Sequence, residues 1–336
     1  MLLCTSLTAL ADTAGFTGSD SCRDCHSSEY EAWRSSHHDL AMQLPGPDTV
    51  LADFEDATFL YNGVTTRFYR DGDKYMVRTD DEDGKLTDFE VAYVFGVYPL
   101  QQYLLPLSRG RLQALSIAWD SRPASAGGQR WYHLYPDEPI DHQDPLHWTG
   151  PYQNWNTRCA ECHSTDLQKN YDRQTRSFDT QYAEIDVACE ACHGPGERHL
   201  ALAEADKLGS VRAGGFATEL AQRGLWSFPE GESIARRSEP LESRAQIDSC
   251  GRCHSRRGNL GDYHYGADLL DTHRLSLPQS PLYHYDGQIL DVVYVYVSFV
   301  QSKMHQAGVV CRNIHEPNSN KLRAPGTGVC AQSHNS

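Results

Sequence analysis

Four short segments of the 336-residue chain repeat the pattern Cys-x-x-Cys-His. They are Cys22/Cys25/His26, Cys159/Cys162/His163, Cys189/Cys192/His193 and Cys250/Cys253/His254, numbered here motifs 1 to 4. On one helical turn the two thiols share a face, so both can reach the vinyl groups of one porphyrin, and the histidine that follows can ligate the iron. The spacing is that of covalent haem c attachment, and four haems c are predicted.

Paired cysteines have two other common uses, in zinc sites and in redox-active dithiols. Four pairs are enough for two Cys4 zinc sites, but zinc does not require a histidine directly after every pair. A thioredoxin-like dithiol needs a strand–turn–helix setting, and the sequence around the four motifs does not predict one. Haem attachment is therefore the favoured interpretation.

Two segments near the C-terminus keep part of the pattern. Cys311 is followed by His315 and Cys330 by His334, but the second cysteine is missing from both. A single thioether could hold a fifth haem at Cys311 and His315, or a sixth at Cys330.

Several of the 16 histidines lie outside the motifs and are candidates for the second axial iron ligand. A helix closed by Pro45-Gly46-Pro47 is predicted after motif 1, and on it His37 shares a face with Tyr30 while His38 lies beside that face. The other candidates are His142, His147, His199, His264, His273, His284 and His305. The helical spacing slightly favours His37 over His38.

Composition and charge narrow the class of protein. Only 39% of the residues are hydrophobic while there are 18 Tyr and 6 Trp, which suits a core built partly from porphyrin. The net charge of -15 argues against nucleic acid and anionic membrane surfaces as partners. A basic redox partner, or simple solubility, is the natural inference.

The N-terminus carries an export signal in shortened form. Residues 1–13 contain an apolar run that ends in Ala9-x-Ala11, without the usual basic residues before it. Cys4 is a poor fit to a lipoprotein site. No other run is long enough to span a membrane. Because haem c is attached outside the bacterial cytoplasm, we predict an exported protein, periplasmic or extracellular, with no transmembrane span in the mature chain.

The elements that must position the motifs are predicted to be short. The predicted order is 1–13 signal peptide, 14–48 first haem segment, 49–138 β-rich insert, 139–246 second and third haem segments with a connector, and 247–336 fourth haem segment with the two single-cysteine motifs. In the insert, Asp71-Gly72-Asp73 predicts a hairpin. Residues 282–300 are apolar enough to be predicted buried. The fold class is α+β: a haem-stacked region of short helices and loops with a β-rich insert and little regular secondary structure.

The assembled segments resemble a known group of proteins. Residues 33–42, 101–104, 110–114, 127–131, 146–150, 154–156, 189–196, 286–289 and 302–305 are similar to the large multihaem c-type cytochromes that often carry tetratricopeptide repeats. That group is related to the tetrahaem cytochromes of ammonia-oxidising bacteria. The resemblance covers nearly everything after residue 18.

The resemblance implies a set of distal iron ligands. These are His38, His147, His199 and His305, so it prefers His38 to His37. It also implies intact fifth and sixth motifs, a histidine where Asn318 stands, and the repeats, none of which this sequence has. We therefore expect an altered or truncated member, or one whose last haems are dispensable.

Electron transfer is the leading functional prediction. Two histidines fill both axial positions of an iron and give low-spin haems that pass electrons between redox partners, such as other cytochromes or quinol-linked membrane complexes. The alternative is a multihaem oxidoreductase that acts on a small nitrogen or sulfur oxyanion at one open haem. Tyr103, Arg109, Arg111 or His133 would then supply the charged or acid–base group. A docking protein that binds a partner through the β insert is a third possibility.

Overall fold

The computed structural model of the chain describes residues 15–221 and 224–334. The predicted signal segment, residues 1–13, lies outside the described residues, and so does Cys4. Helix and strand each account for 24% of the chain, so about half is turn and loop. The predicted α+β class with little regular secondary structure is confirmed.

The strands are short, and most lie between residues 42 and 133. In the described residues they are β1 (Met42–Gln43), β2 (Ala57–Tyr61), β3 (Val64–Asp71), β4 (Lys74–Asp80), β5 (Leu86–Glu90), β6 (Tyr93–Phe95), β7 (Leu100–Leu107), β8 (Arg111–Ala114), β9 (Ile117–Asp120), β10 (Arg130–His133), β11 (Tyr171–Asp172), β12 (Ser177–Phe178), β13 (Trp226–Ser227), β14 (Arg236–Arg237), β15 (Arg257–Asn259) and β16 (His273–Leu275). One sheet is the antiparallel meander β2-β3-β4-β5. A second has the order β1-β6-β7-β9-β10, with β8 paired to β7. Except for β1, both sheets fall within the predicted insert.

Two-residue turns join the first three strands of the meander. Asn62 (φ 43°) and Gly63 (φ 80°) connect β2 to β3, and Gly72 (φ 59°) with Asp73 connects β3 to β4. Positive φ at both central residues, as at Asn62 and Gly63, matches the turn to the twist of the strands, and Asn and Gly adopt it with least strain. The hairpin predicted around Gly72 is confirmed.

The largest apolar core joins the two sheets of the insert. Phe68 is fully buried and stacks on Trp131 at 3.6 Å between ring centres, and Phe54 packs edge-on against both rings. Burying a side chain of this kind contributes about 1.5–3 kcal/mol. The insert therefore has its own hydrophobic core, formed without any cysteine.

The helices are all short. In the described residues they are α1 (Ser27–Trp33), α2 (Trp155–Arg158), α3 (Ala160–His163), α4 (Cys189–His193), α5 (Glu197–Glu204), α6 (Ala245–Gly251), α7 (Leu269–Thr272), α8 (Tyr296–Val300), α9 (Lys303–Gln306), α10 (Cys311–Ile314) and α11 (Gly328–Ala331). The longest, α5, has 8 residues, too few to be stable alone in water. None of these helices is long and apolar enough to cross a membrane.

Helix α1 ends well before the position that the sequence predicts. Arg34 is extended (ψ 132°) and Ser35 has a φ of 62°, which breaks the helix after Trp33. The carboxylate of Asp39 stabilises this break, because it accepts the Ser35 N–H at 2.5 Å and pairs with Arg34 at 3.3 Å. The helical-face argument for His37 is therefore wrong, since residue 37 is not on the helix that carries Tyr30.

The apolar run 282–300 is only partly buried, so the prediction that it lies inside is also wrong in part. Val293 and Tyr296 are buried and pack on Ile247, but Leu290 and Val292 are 52% and 69% exposed. The run is mostly loop, and only its end is helical, in α8. Its side chains therefore point in several directions and do not form one core face.

Candidate haem sites

Each of the four motifs is coiled as a tight turn. His26 N–H donates to the carbonyl of Cys22, and His254 N–H to that of Cys250, both at 2.9 Å. In motif 2 the N–H of Cys162 donates to the carbonyl of Cys159 at 3.0 Å, and motif 3 is the whole of helix α4. A turn of this kind brings both thiols and the imidazole to one side of the backbone, as thioether attachment requires.

The two single-cysteine segments are coiled in the same way. His315 N–H donates to the carbonyl of Cys311 at 2.9 Å, and His334 N–H to that of Cys330 at 2.8 Å. The turn is therefore kept where Ile314 replaces the second cysteine.

The motifs form one connected cluster, in the order 1–3–4–2. Motifs 1 and 3 are joined through the segment just before motif 1, where Ser19 Oγ accepts the Cys189 N–H at 3.2 Å. The nearby Cys189 thiol also lowers the pKa of Cys22 to about 7 against the effect of burial. Motifs 3 and 4 are joined by Arg252, whose Nη2 donates to the carbonyl of Ala191 at 3.1 Å. Motifs 4 and 2 meet at Cys162, whose Sγ is 4.0 Å from the carbonyl of Cys253. Motif 3 thus lies between motifs 1 and 4.

Glu190, inside motif 3, attaches the segment that precedes motif 1. Its side chain is 1% exposed, and its carboxylate accepts the backbone N–H groups of Thr17 (3.0 Å), Gly18 (2.8 Å) and Gly196 (2.6 Å). Charge-assisted hydrogen bonds of this type are about twice as strong as neutral ones. Sequence reasoning missed this role, because an acidic residue between two cysteines looks like any exposed polar spacer.

A partly buried carboxylate supports motif 2. Glu161 lies 3.3 Å from Arg257 Nη1 and 3.2 Å from His273 Nε2. Burial would raise the pKa of Glu161, but its hydrogen bond from His273 and the charge of Arg257 outweigh this and lower the pKa to about 2. Nε2 of His273, the nitrogen through which it would bind iron, is thus already in contact with Glu161.

Two pairs of histidine rings have the separation that one iron requires. The ring centres of His38 and His254 are 6.3 Å apart, and those of His26 and His199 are 6.0 Å apart. A metal–imidazole bond is about 2 Å long and the ring centre lies roughly 1.2 Å behind the nitrogen, so two ligands of one iron have centres about 6.3 Å apart. Each pair joins a motif histidine to one of the expected distal ligands.

Three histidines use Nδ1 for a hydrogen bond, which leaves Nε2 available to bind a metal. His163 Nδ1 lies 3.0 Å from the carbonyl of Ala41, and His199 Nδ1 lies 2.9 Å from that of Gly214. His305 Nδ1 is 3.3 Å from a carbonyl as well. A ring that donates from Nδ1 has its lone pair at Nε2, which is how second-sphere partners orient metal-bound histidines.

The electrostatic surroundings favour neutral imidazoles. Burial, followed by the repulsion of His254, lowers the pKa of His38 to about 4. Burial also lowers the pKa of His193, and the nearby His26 and His199 add to the effect. These rings are therefore unprotonated at neutral pH, the state that a metal ligand must have.

An aromatic side chain lies beside the paired thiols of motif 2. Tyr294, in the exposed part of the apolar run, is close enough to the thiols of Cys159 and Cys162 for them to raise its pKa, after burial. Paired thiols, available imidazoles and apolar side chains next to them are the donor set and surroundings that haem c needs.

His147 has a different environment from the other expected distal ligands. It is buried in the insert, where Nδ1 lies 2.8 Å from Thr149 Oγ1 and Nε2 lies 3.2 Å from Asp80 Oδ2. The structure does not bring it to a motif through any hydrogen bond or ring contact of the described residues. Its role as a ligand stays a prediction, because binding iron would require it to give up Asp80.

We expect the Asp80–His147 contact to stabilise the insert, since the two side chains are only 11% and 7% exposed. Burial would raise the pKa of Asp80, but the hydrogen bond from His147, the charge of His147 and the hydrogen bond from Thr79 together outweigh burial and lower the pKa. Its contribution is therefore present above the unfolded pKa of about 3.9 and lost as the pH falls through the lower folded value. Asp80→Asn should lower the free energy of unfolding by about 1–3 kcal/mol at pH 7, measured by urea denaturation.

Asp83→Asn is the matched control, because this nearby carboxylate is 74% exposed and pairs only with Lys85 on the surface. Its effect should stay below about 0.5 kcal/mol. Equal losses for the two variants at pH 7 would contradict the assigned role of Asp80. So would an Asp80→Asn loss that does not shrink as the pH falls below the unfolded pKa of about 3.9.

The residues considered for an open catalytic haem have structural partners in the insert. Tyr103 is fully buried and donates its hydroxyl hydrogen bond to Gln101 at 2.8 Å. Arg111 is paired with Glu82 through two contacts of 2.8 and 3.0 Å. His133 stacks on Tyr61 with ring centres 3.5 Å apart. Arg109 takes a left-handed conformation (φ 64°), and its carbonyl accepts the N–H of residue 178 at 2.9 Å.

Comparisons with known proteins agree with the donor set. The sequence profile of the family described as cytochrome c554 and c-prime matches residues 21–53 and 138–194, which contain motifs 1, 2 and 3. The crystal structure of the outer cell wall cytochrome OcwA is similar in fold, with a TM-score of 0.51 at 16% identity. These matches support a multihaem c-type cytochrome.

The structural similarity to OcwA covers 93% of this chain and 58% of OcwA. The undecahaem cytochrome from the S-layer of Carboxydothermus ferrireducens is a weaker match, with a TM-score of 0.39 at 18% identity over 94% of this chain and 42% of that one. No curated protein matches the sequence. The relation to repeat-bearing cytochromes and to those of ammonia oxidisers stays a prediction.

Proposed function

We propose that this protein carries electrons between redox partners through four haems c bound at motifs 1 to 4. The observation that supports this function most directly is the connected cluster of motifs in the order 1–3–4–2. Electron transfer between haems depends on their closeness, and motifs in contact hold their haems close. Bound haem c supplies the one-electron iron chemistry.

In this proposal the chain's own residues attach the haems and supply the axial ligands of their irons. The thioether residues are Cys22, Cys25, Cys159, Cys162, Cys189, Cys192, Cys250 and Cys253, and the proximal ligands are His26, His163, His193 and His254. His38 and His199 are the distal ligands of the haems at motifs 4 and 1, because their rings have the required separations of 6.3 and 6.0 Å. His147 and His305 remain candidates for the other two haems. A fifth haem at Cys311 and His315, or a sixth at Cys330, would be held by one thioether.

The same proposal extends to partners and location. A protein with a net charge of -15 favours basic redox partners, and other cytochromes or quinol-linked membrane complexes are the classes we propose. An exported protein, periplasmic or extracellular, agrees with haem c attachment outside the bacterial cytoplasm. The name of OcwA places that structurally similar cytochrome in the outer cell wall.

The test is the mass and the spectrum of the protein made where cytochrome maturation works. We expect a mass that corresponds to four covalent haems, and a ferric spectrum that is low-spin and does not change with nitrite, hydroxylamine or cyanide. Five or six haems would show that the single-cysteine turns are loaded. A colourless product would end the proposal, and a high-spin haem that binds these small molecules would favour the oxidoreductase instead.

A further inference from the structure

Arg252 is a buried cation between motifs 3 and 4. It is the third residue of motif 4 and is 7% exposed, and its Nη2 donates to the carbonyl of Ala191, the third residue of motif 3. The guanidinium carbon lies 4.7 Å from the ring centre of Tyr263 and 5.5 Å from that of Tyr265. The side chain thus bridges two motifs inside the protein.

No carboxylate among the described residues forms an ion pair with Arg252, although its charge reaches Asp166 and opposes the rise in the pKa of that carboxyl. The next two arginines along the chain have a carboxylate partner, since Arg256 pairs with Asp291 and Arg257 with Glu161, at 3.2 and 3.3 Å. Burying a cation costs several kcal/mol, and an arginine does not escape the cost by losing its proton. A carbonyl and two aromatic faces compensate only part of it.

The charge acts on both motifs that it touches. Cys192 of motif 3 and Cys253 of motif 4 are each close enough to Arg252 for its charge to affect their thiols. These are the second thioether positions of the two motifs. Porphyrins attached there would have this cation near their edges.

We propose that Arg252 raises the reduction potentials of the haems at motifs 3 and 4 and makes them the higher-potential pair. This inference rests on the proposed function. Reduction adds one electron to a ferric haem, and a fixed positive charge stabilises the added electron. Because the guanidinium is buried, the attraction is neither weakened by bulk water nor screened by salt. Electrons then collect on the two middle members of the order 1–3–4–2.

Three variants of the full haem-loaded protein test this role. Arg252→Met removes the charge and Arg252→Lys keeps it. Arg23→Gln is the matched control, because Arg23 also lies within a motif and over a tyrosine ring, 5.6 Å from the centre of Tyr30, but is exposed. Mass counts the haems of each variant, and a spectroelectrochemical titration gives its reduction potentials.

We expect all three variants to carry four haems and only Arg252→Met to have changed reduction potentials. Arg252→Met should move two of the four couples to lower potential by at least a tenfold change in the reduction equilibrium, about 59 mV for one electron. Arg252→Lys and Arg23→Gln should stay near the wild type. If the reduction potentials of Arg252→Met equal those of the wild type, the proposed role of Arg252 is overturned. It is also overturned if the potentials of Arg252→Lys shift as far as those of Arg252→Met.

The wild type gives a second measurement if Arg252→Met does not accumulate. Its two highest couples should be less sensitive to ionic strength than the other two, because the charge that raises them is buried. Equal sensitivity of all four would overturn the role of Arg252. A wild type without covalent haems or reversible couples would instead remove the proposed function itself.

Discussion

His38→Ala is expected to turn one haem of the four high-spin and to create one cyanide-binding site per protein. The ring of His38 lies 6.3 Å from that of His254, the separation of two ligands on one iron, so its removal leaves the haem at motif 4 with a single axial histidine. About one quarter of the haem absorbance should change. The measurements are the ferric spectrum and a titration with cyanide, followed until the change saturates.

His37→Ala provides the control for this substitution. His37 is the adjacent residue and is exposed, and it is the histidine that helical spacing alone favoured. Its removal should leave all haems low-spin. If His37→Ala changed the spectrum and His38→Ala did not, the assignment of the distal ligand would have to be reversed.

Loss of the haem at motif 3 is expected to impair electron transfer more than loss of the haem at motif 1. The double variant Cys189→Ala/Cys192→Ala and the double variant Cys22→Ala/Cys25→Ala should each lose the mass of one haem. Without motif 3, the haem at motif 1 is cut off from motif 4, because contacts run 1–3–4–2. About one third of the remaining haem absorbance should then be reduced in a separate slow phase.

Stopped-flow reduction by a protein donor distinguishes the two double variants. Without motif 1 the remaining motifs 3, 4 and 2 stay connected, so their haems should be reduced together, as in the wild type. Cys330→Ala, which removes the exposed thiol of the last single-cysteine turn, should alter neither mass nor rate. A single fast phase in the variant without motif 3 would show that the order of contacts does not set the route of electrons.

The parts of the site that sequence could predict are those fixed by local spacing. The Cys-x-x-Cys-His turns and the hairpin at Gly72 depend on residues within five positions of one another. The helix through His37 was predicted from local periodicity too, but the Asp39 carboxylate binds the Ser35 N–H and stops it. A side chain that competes for one backbone hydrogen bond is enough to override a periodic pattern.

The parts that sequence could not predict depend on contacts between distant residues. His147 meets Asp80 across 67 positions, and Arg252 meets Ala191 across 61. Their separation in the sequence does not predict these contacts, because each contact depends on how the intervening residues fold. The resemblance to known cytochromes supplied His38, whereas the environment of His147 became visible only with the insert folded around it.

The hydrogen bonds of Glu190 have a consequence for the order of haem attachment and folding. Thr17 is held by a residue 173 positions later, so the first thiol pair has no docking surface until most of the polypeptide has emerged. For the proposed exported chain, which is made from its N-terminus, we therefore expect Cys22 and Cys25 to meet the ligation machinery while they are still uncovered. Attachment of the first prosthetic group can thus be completed before tertiary structure forms around it.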